Sequence, residues 1–333
     1  MKSQILLTKG VDANKTNFTG AVMRPRYNIP YAKTEILPYP EGTLIYQHYS
    51  SYLYYMELFE LRLEHKLTLP FRILDQALFQ TYMLQGEVTF TTPYENLLYS
   101  AWAGSYYASI NSEADCLAHF DADTHIIACI TPRLDWIRKQ KNQFPYFIHG
   151  IEKHSTYNES FLFMDKRYID KDTGRNLMHL WQLSPNGRTS FEKEMDDQIR
   201  QLLSGYHDTL QYKDYFHLLS NTEKIPFITE YLKANFLTSD IANKSNLCAR
   251  FHMSERTLQR AFKNQHQINI HKYVENLRLT HACSLLMETA LPIHIIASRS
   301  SFQTANYFCR AFSRKYTCSP TVFRKNNRTP LPS

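Results

Sequence analysis

At 333 residues, 43% of them hydrophobic and 21% charged, the chain is too long for one small core, and no apolar run nears the roughly 18 residues that span a bilayer. Ile5-Leu6-Leu7 is too short for a secretory leader, and Cys116, Cys129, Cys248, Cys283, Cys309 and Cys318 form neither a CxxC pair nor a zinc-finger spacing, so a cytoplasmic protein without disulfides, structural metal or cofactor is expected. The net charge of +7 comes from residues 223–333, where 16 Lys or Arg face 6 Asp or Glu; that imbalance suits a polyanionic partner or, more simply, a solvated basic surface.

Residues 1–34 read as an N-terminal arm. Beyond it, glycine divides the chain: all nine lie at or before Gly205, which places turns and strands first and helices last. Phe59, Leu61 and Leu63 alternate with Glu60, Arg62 and Glu64, the period of a half-buried strand. Leu78 to Leu84 and Val88-Thr89-Phe90 flank Gly86 and read as a hairpin turning there. With the β-rich stretches Tyr99 to Ile110 and His125 to Thr131, these predict a β-sandwich or barrel over 35–131. Its aromatics, among them Tyr54, Phe59, Phe79, Tyr82, Phe90, Tyr106 and Tyr107, are candidates for core packing or for the lining of a ligand cavity.

Residues 132–222 form a mixed segment. A helix is expected over 133–143, and turns at Asp170-Lys171-Asp172-Thr173-Gly174 and Ser184-Pro185-Asn186-Gly187. The capping box Thr189-Ser190-Phe191-Glu192 opens a helix of about 190–208 whose stripe is Phe191, Met195, Ile199, Leu202, Leu203 and Tyr206. That stripe packs on its own domain or meets the same helix in a second copy of the chain.

The basic segment contains a repeat. Ser254-x-x-x-Leu258-x-Arg260-Ala261-Phe262 returns 50 residues later as Thr304-x-x-x-Phe308-x-Arg310-Ala311-Phe312. Each copy follows a shorter apolar helix, Leu247-Cys248-x-x-Phe251 or Ile293-x-x-Ile296-Ala297, and opens with a hydroxyl residue suited to N-capping. Two helix-turn-helix units are therefore predicted, at about 243–263 and 293–315, joined by a long helix over His271 to Leu286. An isolated unit of this kind can also be a helical hairpin that binds nothing; two copies in a strongly basic segment favour DNA. The second helix of such a unit enters the major groove. Residues placed to face DNA are Glu255, Arg256, Thr257, Gln259, Arg260 and Lys263 in the first unit, and Gln303, Thr304, Asn306, Tyr307, Arg310 and Arg314 in the second. Arg324 is expected at a phosphate.

The run from Leu247 to Lys263, Tyr273 to Leu279 with Arg278, Tyr307-Phe308-x-Arg310-x-Phe312 and Ser319-Pro320-x-x-Phe323-Arg324 resembles the DNA-binding domain of AraC/XylS-type transcriptional regulators over about 225–326. The resemblance implies base contacts by Arg256, Gln259, Arg260, Asn306 and Arg310, and core positions for Leu258, Phe262, Phe308 and Phe312. It also implies a cupin-like N-terminal domain that binds a small-molecule effector or dimerises. Partners are then double-stranded DNA, with RNA polymerase, an effector and a second copy of the chain as further candidates, and no membrane. Gln267, Ser301 and Thr317 stand where the family usually has Gly, Cys248 where a small Ala is common, and Lys244 where an apolar residue is usual. The fold class expected is α+β multidomain: a cupin-like sandwich or barrel with following helices, then an all-α domain. The alternative is a cupin-like metal-dependent enzyme, using His119, Asp121 and a distant His179 on iron, or a small-molecule-binding protein with a helical tail.

Overall fold

The computed structural model describes residues 2–7, 24–157, 160–185, 188–211, 216, 219–238 and 241–327. Contacts divide the chain into two compact units, Met1–Lys213 and Asp214–Ser333.

The first unit begins with β1 (Ile5–Leu7), β2 (Lys33–Tyr39), β3 (Gly42–Ser50), β4 (Tyr54–Leu63), β5 (Leu67–Ile73) and β6 (Ala77–Gln85). It continues with β7 (Glu87–Thr91), β8 (Leu97–Trp102), β9 (Ser105–Asn111), β10 (Ala114–Phe120) and β11 (Thr124–Pro132). Then come α1 (Leu134–Lys139), α2 (Pro145–Tyr157), β12 (Phe161–Phe163), β13 (Arg167–Tyr168), α3 (Lys171–Gln182) and α4 (Arg188–Thr209). Among the described residues the strands form a five-stranded sheet, β1-β5-β10-β7-β8, and an eight-stranded sheet, β12-β9-β6-β11-β4-β3-β2 with β13 beside β9. Residues of both sheets share one apolar core, so the expected β region is a sandwich.

The large sheet is covered on both faces. On β4, Phe59, Leu61 and Leu63 face the other sheet, while Tyr54, Met56 and Leu58 face a second core built with the helices. β4 is therefore not the half-buried strand that its alternation suggests. Glu60 is buried too, its carboxylate accepting from the Arg26 N–H at 2.7 Å and from Arg62 Nε at 2.8 Å. The aromatics divide the same way: Tyr54, Tyr82 and Tyr106 belong to the helix side, and Phe59, Phe79 and Tyr107 to the space between the sheets.

Several local expectations are corrected by this arrangement. Gly86 does not close a hairpin: β6 pairs with β9 and β11 in one sheet and β7 with β8 and β10 in the other, so Gly86 is the corner where the chain changes sheets. Its φ is +74°, and a Cβ there would lie 2.3 Å from His125 Nδ1. Of the N-terminal arm, the described residues are packed on the first unit: Ile5, Leu6 and Leu7 pair with Ile73, Arg72 and Phe71, and Ile29 is buried. Asp170 is no turn residue but the N-cap of α3, its carboxylate accepting from the Thr173 N–H at 2.7 Å. The helix expected over 133–143 is the shorter α1, followed by α2. The capping box at Thr189-Ser190 falls on side chains outside the described residues, as do Asn186 and Gly187 of the expected turn; the helix itself starts at Arg188.

The apolar stripe of α4 is core. Phe191, Met195, Ile199, Leu202, Leu203 and Tyr206 all lie in the cluster beneath the large sheet, and Tyr206 donates its hydroxyl to the Asp165 carbonyl at 2.7 Å. A stripe consumed in this way cannot also meet its copy in another subunit.

The second unit contains α5 (Lys224–Asn235), α6 (Lys244–Phe251), α7 (Glu255–His266), α8 (Ile270–Glu288), α9 (Ile293–Arg299), α10 (Ala305–Tyr316) and α11 (Pro320–Asn327). Gln267, Ser301 and Thr317, the three positions where glycine is usual, are left-handed, with φ of 59°, 56° and 58°. Gln267 and Thr317 end α7 and α10 in the same way, their N–H groups donating to the carbonyls of Lys263 and Ser313 at 2.8 and 3.0 Å. After α5, the carbonyls of Phe236 and Thr238 accept from Arg278 of α8, both at 2.8 Å, while the Leu237 carbonyl accepts from the Ser301 hydroxyl. One short segment is thereby tied to the connecting helix and to the second helix-turn-helix unit.

Gly86→Ala should lower the denaturation midpoint of the first unit by the equivalent of about 1–3 kcal/mol, because the methyl meets His125 in a backbone conformation that disfavours it. An unchanged midpoint in urea would contradict the close approach. Thr317→Gly should raise the stability of the second unit by roughly 0.5–1 kcal/mol, since a β-branched residue is released from the left-handed region, less the freedom glycine adds to the unfolded chain. A loss on Thr317→Gly, read in the same way, would show that the Thr side chain outweighs its backbone strain.

Candidate nucleic-acid interface

The orientation of α7 and α10 follows from what each hides. Leu258 and Phe262, and 50 residues on Phe308 and Phe312, are 0% exposed, so the opposite face of each helix is turned outward. Both helices start on a hydroxyl cap. Ser254 Oγ accepts from the Thr257 N–H at 3.2 Å and Thr304 Oγ1 from the Tyr307 N–H at 3.1 Å. The Thr257 hydroxyl lies 2.8 Å from Ser254 Oγ and is half-buried, so it serves the cap.

On α7 the side chains of Glu255, Arg256, Gln259, Arg260 and Lys263 line one open groove. Arg256, Arg260 and Lys263 are exposed and form no hydrogen bond or ion pair with any described residue. Glu255, the one acid of the helix, is clasped: its Oε1 accepts from Lys244 Nζ of α6 and from Gln259 Nε2, both at 2.9 Å. Lys244 thus offsets a charge that phosphate would repel. Lys244 and Glu255 stand eleven positions apart on two different helices with a turn between them, so no intrahelical spacing marks the pair.

At the cap of α10 Gln303 and Thr304, and on the helix Asn306, Tyr307, Arg310 and Arg314, are all exposed, with different commitments. Thr304 is the cap. Tyr307 donates its hydroxyl to Glu275 Oε2 of α8 at 2.6 Å, and Lys272 bonds the other oxygen. Burial pushes the Glu275 carboxyl up, but the hydrogen bonds from Lys272 and Tyr307, with the charges of Lys272 and Arg314, outweigh it and leave the group below the usual carboxylate range. Tyr307 therefore braces α10 against the connecting helix. Glu275 went unnoticed in the sequence, although it is the one acid between Arg256 and Met287. Gln303, Asn306, Arg310 and Arg314 have no hydrogen-bond partner among the described residues.

Arg324, expected at a phosphate, also has a structural contact. It is half-buried and donates to the Leu291 carbonyl at 2.6 Å, joining α11 to the loop before α9. The proposed iron ligands also do not converge. His119 has both ring nitrogens within hydrogen-bond distance of threonine hydroxyls, Thr68 at 3.1 Å and Thr91 at 2.9 Å. Asp121 pairs with Lys66 at 2.8 Å, and His179 is exposed on α3. No group of three metal-binding side chains forms among the described residues, and none of the described helices is long and apolar enough to cross a membrane.

Residues 247–326 match the sequence family described as a helix-turn-helix domain. Among curated proteins, the chain is 33% identical over 214 residues to the HTH-type transcriptional activator RhaR of Enterobacter sp. (strain 638), covering 55% of this chain and 76% of that one. It is 31% identical over 80 residues to RhaR of Mannheimia succiniciproducens, where the match spans only 29% of the relative. A solved structure of the C-terminal domain of AraT from Geobacillus stearothermophilus is similar at 27% identity, over 33% of this chain and 89% of that one, with a TM-score of 0.31. ToxT from Vibrio cholerae O395 aligns over 83% of this chain and 99% of that one at 13% identity, with a TM-score of 0.29. With two capped helices built on one repeated pattern and a curated activator matched over three quarters of its length, the chain belongs to the AraC/XylS-type family of transcriptional regulators.

Proposed function

We propose that this chain is a cytoplasmic, sequence-specific DNA-binding transcription regulator whose α7 and α10 enter the major groove of double-stranded DNA. The observation that carries the reading is the repeated pair of capped helices, each anchored by two fully buried side chains and each turning uncommitted cations outward. Arg256, Arg260 and Arg310 have the forked donors that suit guanine, while Gln259 and Asn306 carry the amides that suit adenine. Lys263 and Arg314 lie farther along their helices and suit phosphates, and Gln303 sits beside the second cap. Thr257, Thr304 and Tyr307 hold the helix starts and the brace, so their contribution is geometric. The relatives named above are transcriptional activators, which supports contact with RNA polymerase as part of the role.

The first unit is assigned the sensing of a small molecule, with dimerisation as its second role through a surface other than the buried stripe of α4. A cavity of about 110 Å³ between its two sheets supports the sensing role. The described residues give no support to the enzymatic alternative, whose His119 and Asp121 are engaged elsewhere.

A gel-shift with the full chain on genomic fragments, its own upstream region included, should reveal sequence-preferring binding; binding indifferent to sequence would contradict the reading. On a site selected from random DNA, Arg310→Ala should cost about 1–3 kcal/mol and relax one base position, whereas Lys263→Ala should weaken cognate and random duplexes alike. Equal losses on both duplexes for Arg310→Ala would remove Arg310 from base reading.

A further inference from the structure

The cavity between the sheets has walls of unequal chemistry. The small-sheet side is apolar, while the large-sheet side brings Thr81, Ser109 and Asn111 to the same space. None of the described side chains lining it carries a formal charge. Its two thiols stay neutral as well: burial, with the Asp115 charge, pushes Cys116 up to about 11, and burial, with the Glu57 charge, pushes Cys129 up to about 12.

Asn111, one of the lining residues, carries an unsatisfied polar atom. Asn111 is 7% exposed and its Nδ2 donates to Ser109 Oγ at 3.1 Å, but its Oδ1 has no hydrogen-bond partner among the described residues. Turned over, the amide would instead accept from Ser109 and leave its Nδ2 without an acceptor, a vacancy of the opposite sense that a hydroxyl, being both donor and acceptor, can also fill. A buried acceptor of this kind is costly until something donates to it.

Size and polarity narrow what could do so. At about 110 Å³ the space exceeds the roughly 30 Å³ of a water molecule and is comparable to apolar cavities that take up benzene. An ion would lose its hydration with no opposite charge in the lining. A sugar would bring several hydroxyls to a wall whose side-chain oxygens and amide are those of Thr81, Tyr107, Ser109 and Asn111, with Tyr107 already hydrogen-bonded to Thr81, leaving most of them unpaired.

Resting on the sensing role given to the first unit, we infer that the cavity binds a small uncharged molecule, about the size of one aromatic ring, that donates a single O–H or N–H to Asn111 Oδ1. The ring occupies the apolar side and the donor meets the amide, so affinity comes from the first contact and orientation from the second.

Phenol and toluene, which differ by the hydroxyl, test this on the full-length protein by titration calorimetry and thermal shift, with glucose as the polar control. Phenol should bind saturably and more tightly than toluene, and glucose should not bind. Asn111→Ala should weaken phenol about five- to tenfold while changing toluene less than twofold. Ala118→Phe, filling the space from the opposite wall, should abolish both. If either variant fails to fold, displacement of 4-fluorophenol by toluene, followed by fluorine NMR on the unmodified chain, decides whether one apolar site holds both. Uptake of neither phenol nor toluene, or binding of glucose in their place, would overturn the inference. A parallel gel-shift separates it from the sensing role: phenol uptake with unaltered DNA affinity upholds the ligand class and removes the regulatory role, whereas normal DNA binding without uptake overturns the ligand class alone.

Discussion

Four side chains without exposed surface, Leu258 and Phe262 on α7 and Phe308 and Phe312 on α10, decide which way the basic faces of this protein point. An α-helix places residues four apart on one side, so burying such a pair fixes the rotation of the whole helix and turns the cations of its opposite side outward. Truncating a buried Phe in such a core costs about 3–5 kcal/mol, more than any single surface contact contributes. The remaining features refine that orientation. Hydroxyl caps start both helices, left-handed residues end them, and the Tyr307 to Glu275 bond holds one of them to the long connector.

The two helix-turn-helix units were legible because their determinants are local. Caps, apolar spacing and the 50-residue repeat are all written within a dozen residues of one another. Of the four left-handed positions of the second unit, Gln267, Ser301 and Thr317 were marked only by the resemblance, whose members have glycine there, and His252 was not marked at all. What the sequence hid were contacts between segments. Lys244 and Glu255 meet across a turn, and Arg324 bonds a carbonyl 33 residues away, so that an apparently free cation also has a structural contact. The same limit applies in the first unit: Gly86 announces a turn, yet whether the following strand pairs with its predecessor or crosses to another sheet depends on partners far along the chain.

The first unit also shows why alternation is an incomplete guide to burial. Helices α1 to α4 cover the face of the large sheet that points away from the small one, so residues reading as solvent-facing, such as Glu60, are enclosed and must find partners. That cover consumes the apolar stripe of α4, for which the sequence also leaves self-association open. It also leaves the space between the sheets as an uncharged compartment with one unpaired amide oxygen, chemically separate from the basic faces of the second unit.

The central claim is that α7 and α10 both face the same duplex. A photocrosslinking side chain placed at Gln259 or at Asn306, with Met287 of α8 as an exposed control, tests it directly on a selected DNA site. Capture of bases from both helix positions, at separate blocks of one site and well above the control, is the predicted result. Capture from only one helix, or from neither above the Met287 level, would contradict it.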